Sequence, residues 1–258
     1  MKTIAEVLWS ERTREEFAAY ATRGAVVIVP VGSVEQHGLA LPVNTDNREV
    51  EFVAQEGARR AAASVLVTPV MPFGISLHHM MYPAGTITLR VETLLRVLSE
   101  VCESVVQHGF ERILLLNGHG GNTGTISAAA LELKFRLLRQ VQAANWWDLT
   151  LGVFAEVCQG PVTETIGHAG EAETSCILAL TPESVRRERL KVVPGVTDDP
   201  GRGTPEKGQR ILAAGATAVA QLLDQMAARP GRDVVGIPTY TDTGSSSSTS
   251  ATARPVGT

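Results

Sequence analysis

The chain has 258 residues, of which 44% are hydrophobic and 19% charged, and its formal net charge is −4. This composition is typical of one globular α/β domain, and it argues against a basic surface for nucleic acid or an anionic membrane. No apolar run approaches the roughly 20 residues that span a bilayer, and no signal-peptide core is visible, so we expect a cytoplasmic protein. Three widely spaced cysteines predict buried free thiols: Cys102, Cys158 and Cys176.

Helical and β-branched segments alternate along the chain. Strands are predicted at residues 25–32, 65–70, 112–116 and 150–155. Helices are predicted at residues 12–22, 47–63, 91–108, 123–143, 170–180 and 205–228. Strands separated by helices of this length favour parallel pairing, so we predict one α/β domain over residues 1–240 with a mostly parallel central sheet flanked by helices. The Ser-, Thr- and Gly-rich segment 241–258 is predicted to be a disordered tail.

Two potential metal ligands, Glu35 and His37, follow the first predicted strand with one residue between them. In an extended segment, residues two apart point to the same side, so both side chains can converge on one place. Asp46 lies nine residues after His37 and can reach the same place from the following loop. Imidazole and carboxylate groups suit Zn²⁺ or Mn²⁺, and a shared carboxylate such as Asp46 can bridge two ions.

Other histidines and acidic residues follow later predicted strands. In an open parallel sheet, ligands bind beyond the carboxyl ends of the strands, so we expect these side chains to join the first motif. Simpler interpretations stay open, because a glycine-rich turn can cradle phosphate and first-turn carboxylates can complement a helix dipole. A histidine in such a turn can also be a structural hydrogen bonder. The residues concerned are His78, His79, His119, His168, Glu171 and Glu173.

Five segments, in this order, resemble the motif set of the creatininase (creatinine amidohydrolase) family over roughly residues 25–225. The resemblance implies a parallel-sheet α/β fold and two divalent metal ions per chain, Zn and/or Mn, with Fe also possible. It implies hydrolysis of a C–N bond of a small molecule by metal-activated water, often in a cyclic amide, and a homo-oligomer, commonly a hexamer. The segments are residues 32–38, 41–46, 85–89, 117–122 and 168–175.

The same resemblance implies a ligand set. Glu35 and His119 would bind one metal, His37 would bind the other, and Asp46 would bridge them. The fifth ligand is expected to be Glu173.

The chain departs from creatininase itself at Gly121, where that enzyme has a glutamate ligand. A carboxylate from the segment after His168 is the natural substitute, and we favour Glu173 because it occupies the recurring Glu-Thr-Ser position. Glu171 competes for that role and is otherwise a candidate general base or a support for a ligand. Further departures at residues 164–167 and 82–85 argue against creatinine as the substrate.

Roles in catalysis and substrate binding follow from the resemblance and the predicted strand ends. His168 is expected to protonate the leaving nitrogen, and the backbone N–H of Gly120 is expected to help bind the oxyanion. Ser76 and His79 are expected to line the substrate pocket. Alternatives are a peptidase acting on a short modified peptide, a deformylase of a nucleotide intermediate, a hydrolase of an oxidised cyclitol, or a metal- or sugar-phosphate-binding module without hydrolytic activity.

Overall fold

The computed structural model describes residues 1–82, 85–160 and 166–232. Within these ranges, four strands form one sheet in the order β2-β1-β3-β4, and every neighbouring pair is parallel. The predicted parallel α/β architecture is therefore confirmed. The predicted tail at 241–258 lies outside the described residues. The strands are β1 (Val26–Val31), β2 (Val65–Val67), β3 (Arg112–Asn117) and β4 (Gln140–Asn145).

Eight α-helices surround or connect the strands in the described part of the chain. None of them is long and apolar enough to cross a membrane. Those that pack on the sheet begin and end within a few residues of the predicted bounds, with one exception discussed below. The helices are α1 (Ile4–Val7), α2 (Arg14–Thr22), α3 (Thr45–Arg60), α4 (Val91–Gln107), α5 (Thr123–Leu137), α6 (Leu151–Val157), α7 (Glu171–Leu180) and α8 (Pro205–Ala227).

Both faces of the sheet are covered by helices. Along β1, Val26 and Ile28 join an apolar cluster with residues of α3, α7 and α8, whereas Val27 and Val29 join a second cluster with residues of α4 and α5. This alternation follows from the strand period of two residues. It explains why β1 is buried along its whole length and apolar at every position, since a strand covered on both faces has no side exposed to water.

Two of the predicted elements are wrong. The predicted helix at 123–143 ends at Leu137, because Leu138 adopts a left-handed conformation with φ of 50° and the chain then continues as β4. The predicted strand at 150–155 is the helix α6 instead. Leu138 carries no glycine or proline signal, so the alanine-rich pattern runs on without a visible stop. The run after Thr150 is rich in apolar residues that suit either state at this length.

The close approach of β3 to α3 brings the ends of these elements together. Gly118 follows β3 directly, and a Cβ atom there would lie 2.6 Å from Val50 Cβ and 3.0 Å from the carbonyl oxygen of Asp46. Only a residue without a side chain fits at this distance. The turn after β3 is thereby held against the first turn of α3, which carries Asp46.

Candidate metal centre

Five side chains from four separate segments meet at the carboxyl edge of the sheet. Glu35 and His37 lie in the turn after β1, and Asp46 lies in the first turn of α3. His119 follows β3, and Glu173 lies in the first turn of α7. All five are at most 4% exposed. The structure thus brings together the whole ligand set that the sequence resemblance implies.

Asp46 lies between two histidines. Its Oδ1 is 3.0 Å from His37 Nε2, and its Oδ2 is 3.1 Å from His119 Nδ1. Glu173 Oε2 approaches the same His37 nitrogen at 3.6 Å. The ligand atoms of His37, Asp46 and Glu173 all lie within 4.8 Å of one another, which is close enough for one cation to contact all three. The two oxygens of Asp46 therefore serve two different imidazoles.

Glu35 is the acidic centre of the second half of the site. Its Oε2 is 3.3 Å from His119 Nε2, and its Oε1 is 3.3 Å from His168 Nδ1 and 3.5 Å from His79 Nε2. Burial acts to raise the pKa of Glu35, but its contacts with His119 and His168 act in the opposite sense and hold that pKa below its usual range. Glu35 is thus kept ionised, as a metal ligand must be.

The chemistry of the buried ligand atoms suits a divalent cation. Glu35 Oε2, His37 Nε2 and Asp46 Oδ2 are all buried, and none makes a hydrogen bond of good geometry within the described residues, although each lies 3.0–3.3 Å from a histidine or carboxylate atom of this cluster. Buried polar atoms are nearly always hydrogen-bonded, so three buried atoms that only approach one another within this cluster call for a bound group. Two imidazoles with three carboxylates are a donor set that Zn²⁺ and Mn²⁺ accept. The residues present therefore fit a metal centre.

Neighbouring backbone carbonyls orient the two ligand histidines. His37 Nδ1 lies 3.1 Å from the carbonyl oxygen of Glu35, which leaves its Nε2 facing Asp46. His119 Nε2 lies 3.0 Å from the carbonyl oxygen of Ile75, which leaves its Nδ1 facing Asp46. Such contacts fix the ring and its tautomer in metal sites.

Ser76 contacts His119 on the side away from the cleft. It is fully buried, and its hydroxyl lies 2.6 Å from Ser33 Oγ and 3.2 Å from His119 Nε2. Ser76 is not among the described residues that line the cleft. We therefore correct the expectation that it contacts substrate, because its hydroxyl is committed to Ser33 and His119.

A cleft of about 660 Å³ opens onto the ligands. His79, His168 and Gly120, which were expected near substrate or in catalysis, all line it. Burial lowers the pKa of His79 to about 4, so its ring is neutral near pH 7. His78, which was expected to join the site, also lines the cleft, as do residues that were given no role from the sequence: Tyr82, Trp147, Val196 and Thr197.

The position of Trp147 after a strand could have indicated that it belongs to the cleft. It follows the end of β4 by two residues, so it occupies the same type of position as the motifs after β1 and β3. Because the sequence predicts a helix that runs to residue 143, it does not predict a strand end at Asn145. His78, by contrast, directly precedes His79 in the sequence, and its ring centroid lies 4.1 Å from that of His79.

Glu171 does not face the metal ligands. Its carboxylate accepts hydrogen bonds from Lys207 Nζ and from the backbone N–H groups of Gln159 and Gly160, the latter two at 2.8 and 2.9 Å. Burial acts to raise the pKa of Glu171, but Lys207 and these N–H groups hold it below its usual value. We correct the expectation of a general base, because both carboxylate oxygens of Glu171 are committed to structural partners.

Gly121 has no room for a side chain. A Cβ atom there would lie 2.1 Å from the carbonyl oxygen of Ile75 and 2.5 Å from His119 Nε2. A carboxylate ligand at this position is therefore sterically excluded, and Glu173 is the acidic residue that approaches His37 in its place. The other departures from creatininase fall partly on residues 83–84 and 164–165, which lie outside the described residues.

Comparisons with known proteins place the chain in one family. Residues 10–223 match the family model Creatininase, described as creatinine amidohydrolase. The chain is 32% identical over 218 residues to a mycofactocin precursor peptide peptidase of Mycobacterium tuberculosis, covering 73% of this chain and 80% of that protein. It is 29% identical over 233 residues to a creatinine amidohydrolase of Pseudomonas putida, covering 84% of this chain and 86% of that one.

The fold also matches solved creatininases. A crystal structure of creatinine amidohydrolase superposes with a TM-score of 0.76 at 26% identity, covering 87% of this chain and 99% of that one. Other solved creatininases include a manganese form and a Zn–Zn form of a mutant, with TM-scores of 0.75 and 0.74 at 25% identity. With a family match over most of its length, a buried set of metal-type ligands and the same fold, this chain belongs to the creatininase family of hydrolases and is a member other than creatininase itself.

Proposed function

We propose that this chain is a two-metal hydrolase that cleaves the C–N bond of an amide, cyclic amide or formamide in a small molecule. The observation that carries the proposal is the position of Asp46, whose two oxygens lie 3.0 and 3.1 Å from nitrogens of two different histidines. A carboxylate shared in this way is the usual bridge of two-metal hydrolytic sites. A cytoplasmic homo-oligomer, a hexamer as is common in the family, completes the proposal.

The described residues divide into two overlapping ligand sets. His37, Asp46 and Glu173 would hold one cation, and Glu35 and His119 would hold the other, with His78 within reach of the same pair and Asp46 as the bridge that we propose. Divalent cations bound there supply Lewis-acid chemistry and lower the pKa of water from about 16 toward neutrality. Zinc and manganese are the ions we propose, because this imidazole and carboxylate set suits both and solved creatininases include forms with each.

Residues of the cleft supply proton transfer and binding. The ring of His168 lines the cleft and places Nδ1 3.3 Å from Glu35 Oε1, where it can give a proton to the leaving nitrogen. Gly120 lies beside His119 on the cleft wall, and we assign its backbone N–H to the carbonyl oxygen that becomes negative during attack. A positioned proton donor of this kind typically contributes about 10²–10⁴-fold to the rate.

The test is metal-dependent hydrolysis. We expect protein loaded with Mn²⁺ or Zn²⁺ to hydrolyse members of a panel of cyclic amides, formamides and linear amides, and to lose this activity on chelation. Asp46→Ala should lower the rate more than about 100-fold, since it removes a ligand rather than a group behind one. Glu92→Ala, at an exposed acidic position of α4, is the matched control and should keep full activity.

Two outcomes would count against the proposal. Hydrolysis that survives both chelation and Asp46→Ala would show that the reaction needs no metal at this site. Bound metal without hydrolysis of any compound in the panel would instead favour a binding module without catalytic activity.

A peptide substrate is the second candidate. It is favoured by the similarity to the mycofactocin precursor peptide peptidase. The same assay decides between the candidates when short peptides are added to the panel. A higher kcat/KM for a peptide than for every small amide would assign the enzyme to peptide hydrolysis.

A further inference from the structure

The chain between α7 and α8 returns to the beginning of α7, the helix that carries Glu173. There, Asp198 Oδ1 accepts a hydrogen bond of 2.6 Å from the backbone N–H of Glu171, the first residue of that helix. Helices usually receive such a bond from the residue just before them, often Asp, Asn, Ser or Thr. In α7 that residue is Gly170, which has no side chain, and Asp198 supplies the carboxylate from a later part of the chain.

Two glycines allow this close approach. A Cβ atom at Gly170 would lie 2.1 Å from Asp198 Oδ1, and one at Gly167 would lie 2.7 Å from Thr197 Oγ1. Atoms this close overlap, so a side chain at either glycine would push the two segments apart. The turn before α7 therefore packs directly against Thr197 and Asp198.

Thr197 holds the other end of the same turn. Its backbone N–H donates a hydrogen bond of 2.9 Å to the carbonyl oxygen of His168, and its Oγ1 accepts one of 2.8 Å from the backbone N–H of His168. Thr197 thus binds both backbone polar groups of His168. Together, Thr197 and Asp198 fix the backbone at His168 and at Glu171, on either side of Ala169.

Ala169, between these two fixed points, has an unusual backbone conformation. Its φ is 52°, in the left-handed region that residues with a side chain seldom adopt, and the residue is buried. Such a conformation persists only where the surrounding contacts hold it. In this conformation the backbone N–H of Ala169 donates a hydrogen bond to Glu173 Oε2. The turn therefore directs one backbone donor at a proposed metal ligand.

The oxygen that Ala169 binds is the one that faces His37. Glu173 Oε2 lies 3.6 Å from His37 Nε2, and both residues belong to one of the groups able to hold a cation. The position of this oxygen depends on where α7 begins and on the conformation of the turn before it. Thr197 and Asp198 contact the backbone at both places.

We propose that Asp198 is a positioning residue of the metal centre, which holds the start of α7 so that Glu173 reaches the cation beside His37. The inference rests on the metal centre of the proposed function. Asp198 is not among the described residues that line the cleft, so it acts through Glu173 rather than on substrate. Groups that support a metal ligand in this way typically change metal affinity by about 10–100-fold when they are removed.

Competition with a zinc chelator measures the role of Asp198 and needs no substrate. Asp198→Ala removes the acceptor, and we expect the combined affinity for two zinc ions to fall about 10–100-fold. Asp198→Asn keeps an oxygen acceptor and should bind zinc nearly as tightly as the unaltered chain. Asp199→Ala is the matched control and should leave the affinity unchanged, because Asp199 accepts its hydrogen bond from the backbone N–H of Gly201 instead.

A double-mutant cycle separates positioning from a general effect on the fold. In Glu173→Gln, the ligand that Asp198 holds is already impaired, so adding Asp198→Ala should change the zinc affinity little further. The effect of Asp198→Ala is therefore expected to shrink from about 10–100-fold to near one in this background. A general loss of structure would instead weaken zinc binding by the same factor in both backgrounds.

The outcomes separate this inference from the proposed function. Equal zinc affinity in Asp198→Ala and the unaltered chain would overturn the inference, as would an equal loss in both backgrounds of the cycle. A loss in Asp198→Asn as large as that in Asp198→Ala would also overturn it, because the hydrogen bond would then not be the cause. These readouts do not depend on hydrolysis, so they decide the inference even if no compound in the amide panel is cleaved. An unaltered chain that binds no zinc would contradict the metal centre itself, and this inference with it.

Discussion

At Gly121, the backbone lies so close to Ile75 and His119 that no side chain fits, so this position cannot supply a carboxylate ligand. A Cβ atom there would meet the carbonyl oxygen of Ile75, the atom that orients His119. The sequence showed the missing glutamate, and the structure adds that no residue larger than glycine fits without moving His119. Glu173, 3.6 Å from His37 Nε2, is therefore the acidic ligand that we propose instead.

Gly121→Ala is expected to push His119 away from Asp46 and weaken metal binding. Overpacking of this kind typically costs about 1–3 kcal/mol of stability, which should appear as a lower free energy of unfolding in urea. Gly120→Ala is the matched control, because a Cβ atom at Gly120 meets nothing within 4 Å. Equal stability and equal zinc affinity in the two variants would contradict the steric explanation.

At the scale of single elements, α7 carries two glutamates with different tasks. Glu171 and Glu173 are two residues apart, so they project to different sides of the helix. Glu173 points to His37, whereas Glu171 binds Lys207 and the backbone at Gln159. The sequence alone could not separate these roles, because both residues occupy the first turn of the same helix and their orientation depends on where the helix begins.

The two glutamates should respond differently to the same change. Glu173→Gln is expected to release metal with little loss of stability, whereas Glu171→Gln should keep the metal and lower the free energy of unfolding by about 2 kcal/mol, since it weakens charged hydrogen bonds. Metal analysis and urea unfolding of both variants measure this. Metal loss in Glu171→Gln with full retention in Glu173→Gln would reverse the assignment.

The contribution of Glu171 to the free energy of unfolding depends on pH. Its pKa is lowered in the folded chain, so its contribution is fully present above its unfolded pKa of about 4.3 and is lost as the pH falls through the folded value. The difference in stability between the unaltered chain and Glu171→Gln should therefore be constant near pH 7 and shrink below about pH 4. A difference that grows on acidification would contradict this linkage.

At the scale of the whole molecule, most of the architecture was accessible from the sequence because both faces of the sheet are buried. Apolar runs such as Val26–Val31 are long enough to be recognised, and the spacing between them indicates parallel crossovers. The fourth strand was misplaced because Gln140–Asn145 mixes polar and small residues and follows a helix end without a glycine. Without a predicted strand end at Asn145, the sequence does not place Trp147 at the edge of the sheet where the cleft lies.

The site was partly predictable for the same reason. Residues after strand ends converge in a parallel sheet, so Glu35, His37 and His119 were expected to meet. Contacts between side chains were not predictable, since they depend on rotamers and on close approaches such as that of Gly118 to Val50. The contact of Ser76 with His119 belongs to this second class.

The number and position of bound ions test the central claim most directly. Crystals of the manganese-loaded protein, measured at the manganese absorption edge, should show two anomalous peaks per chain about 3.5–4 Å apart, with one oxygen of Asp46 at each. A single peak, or two peaks of which Asp46 contacts at most one, would contradict the assignment of a two-metal centre bridged by Asp46.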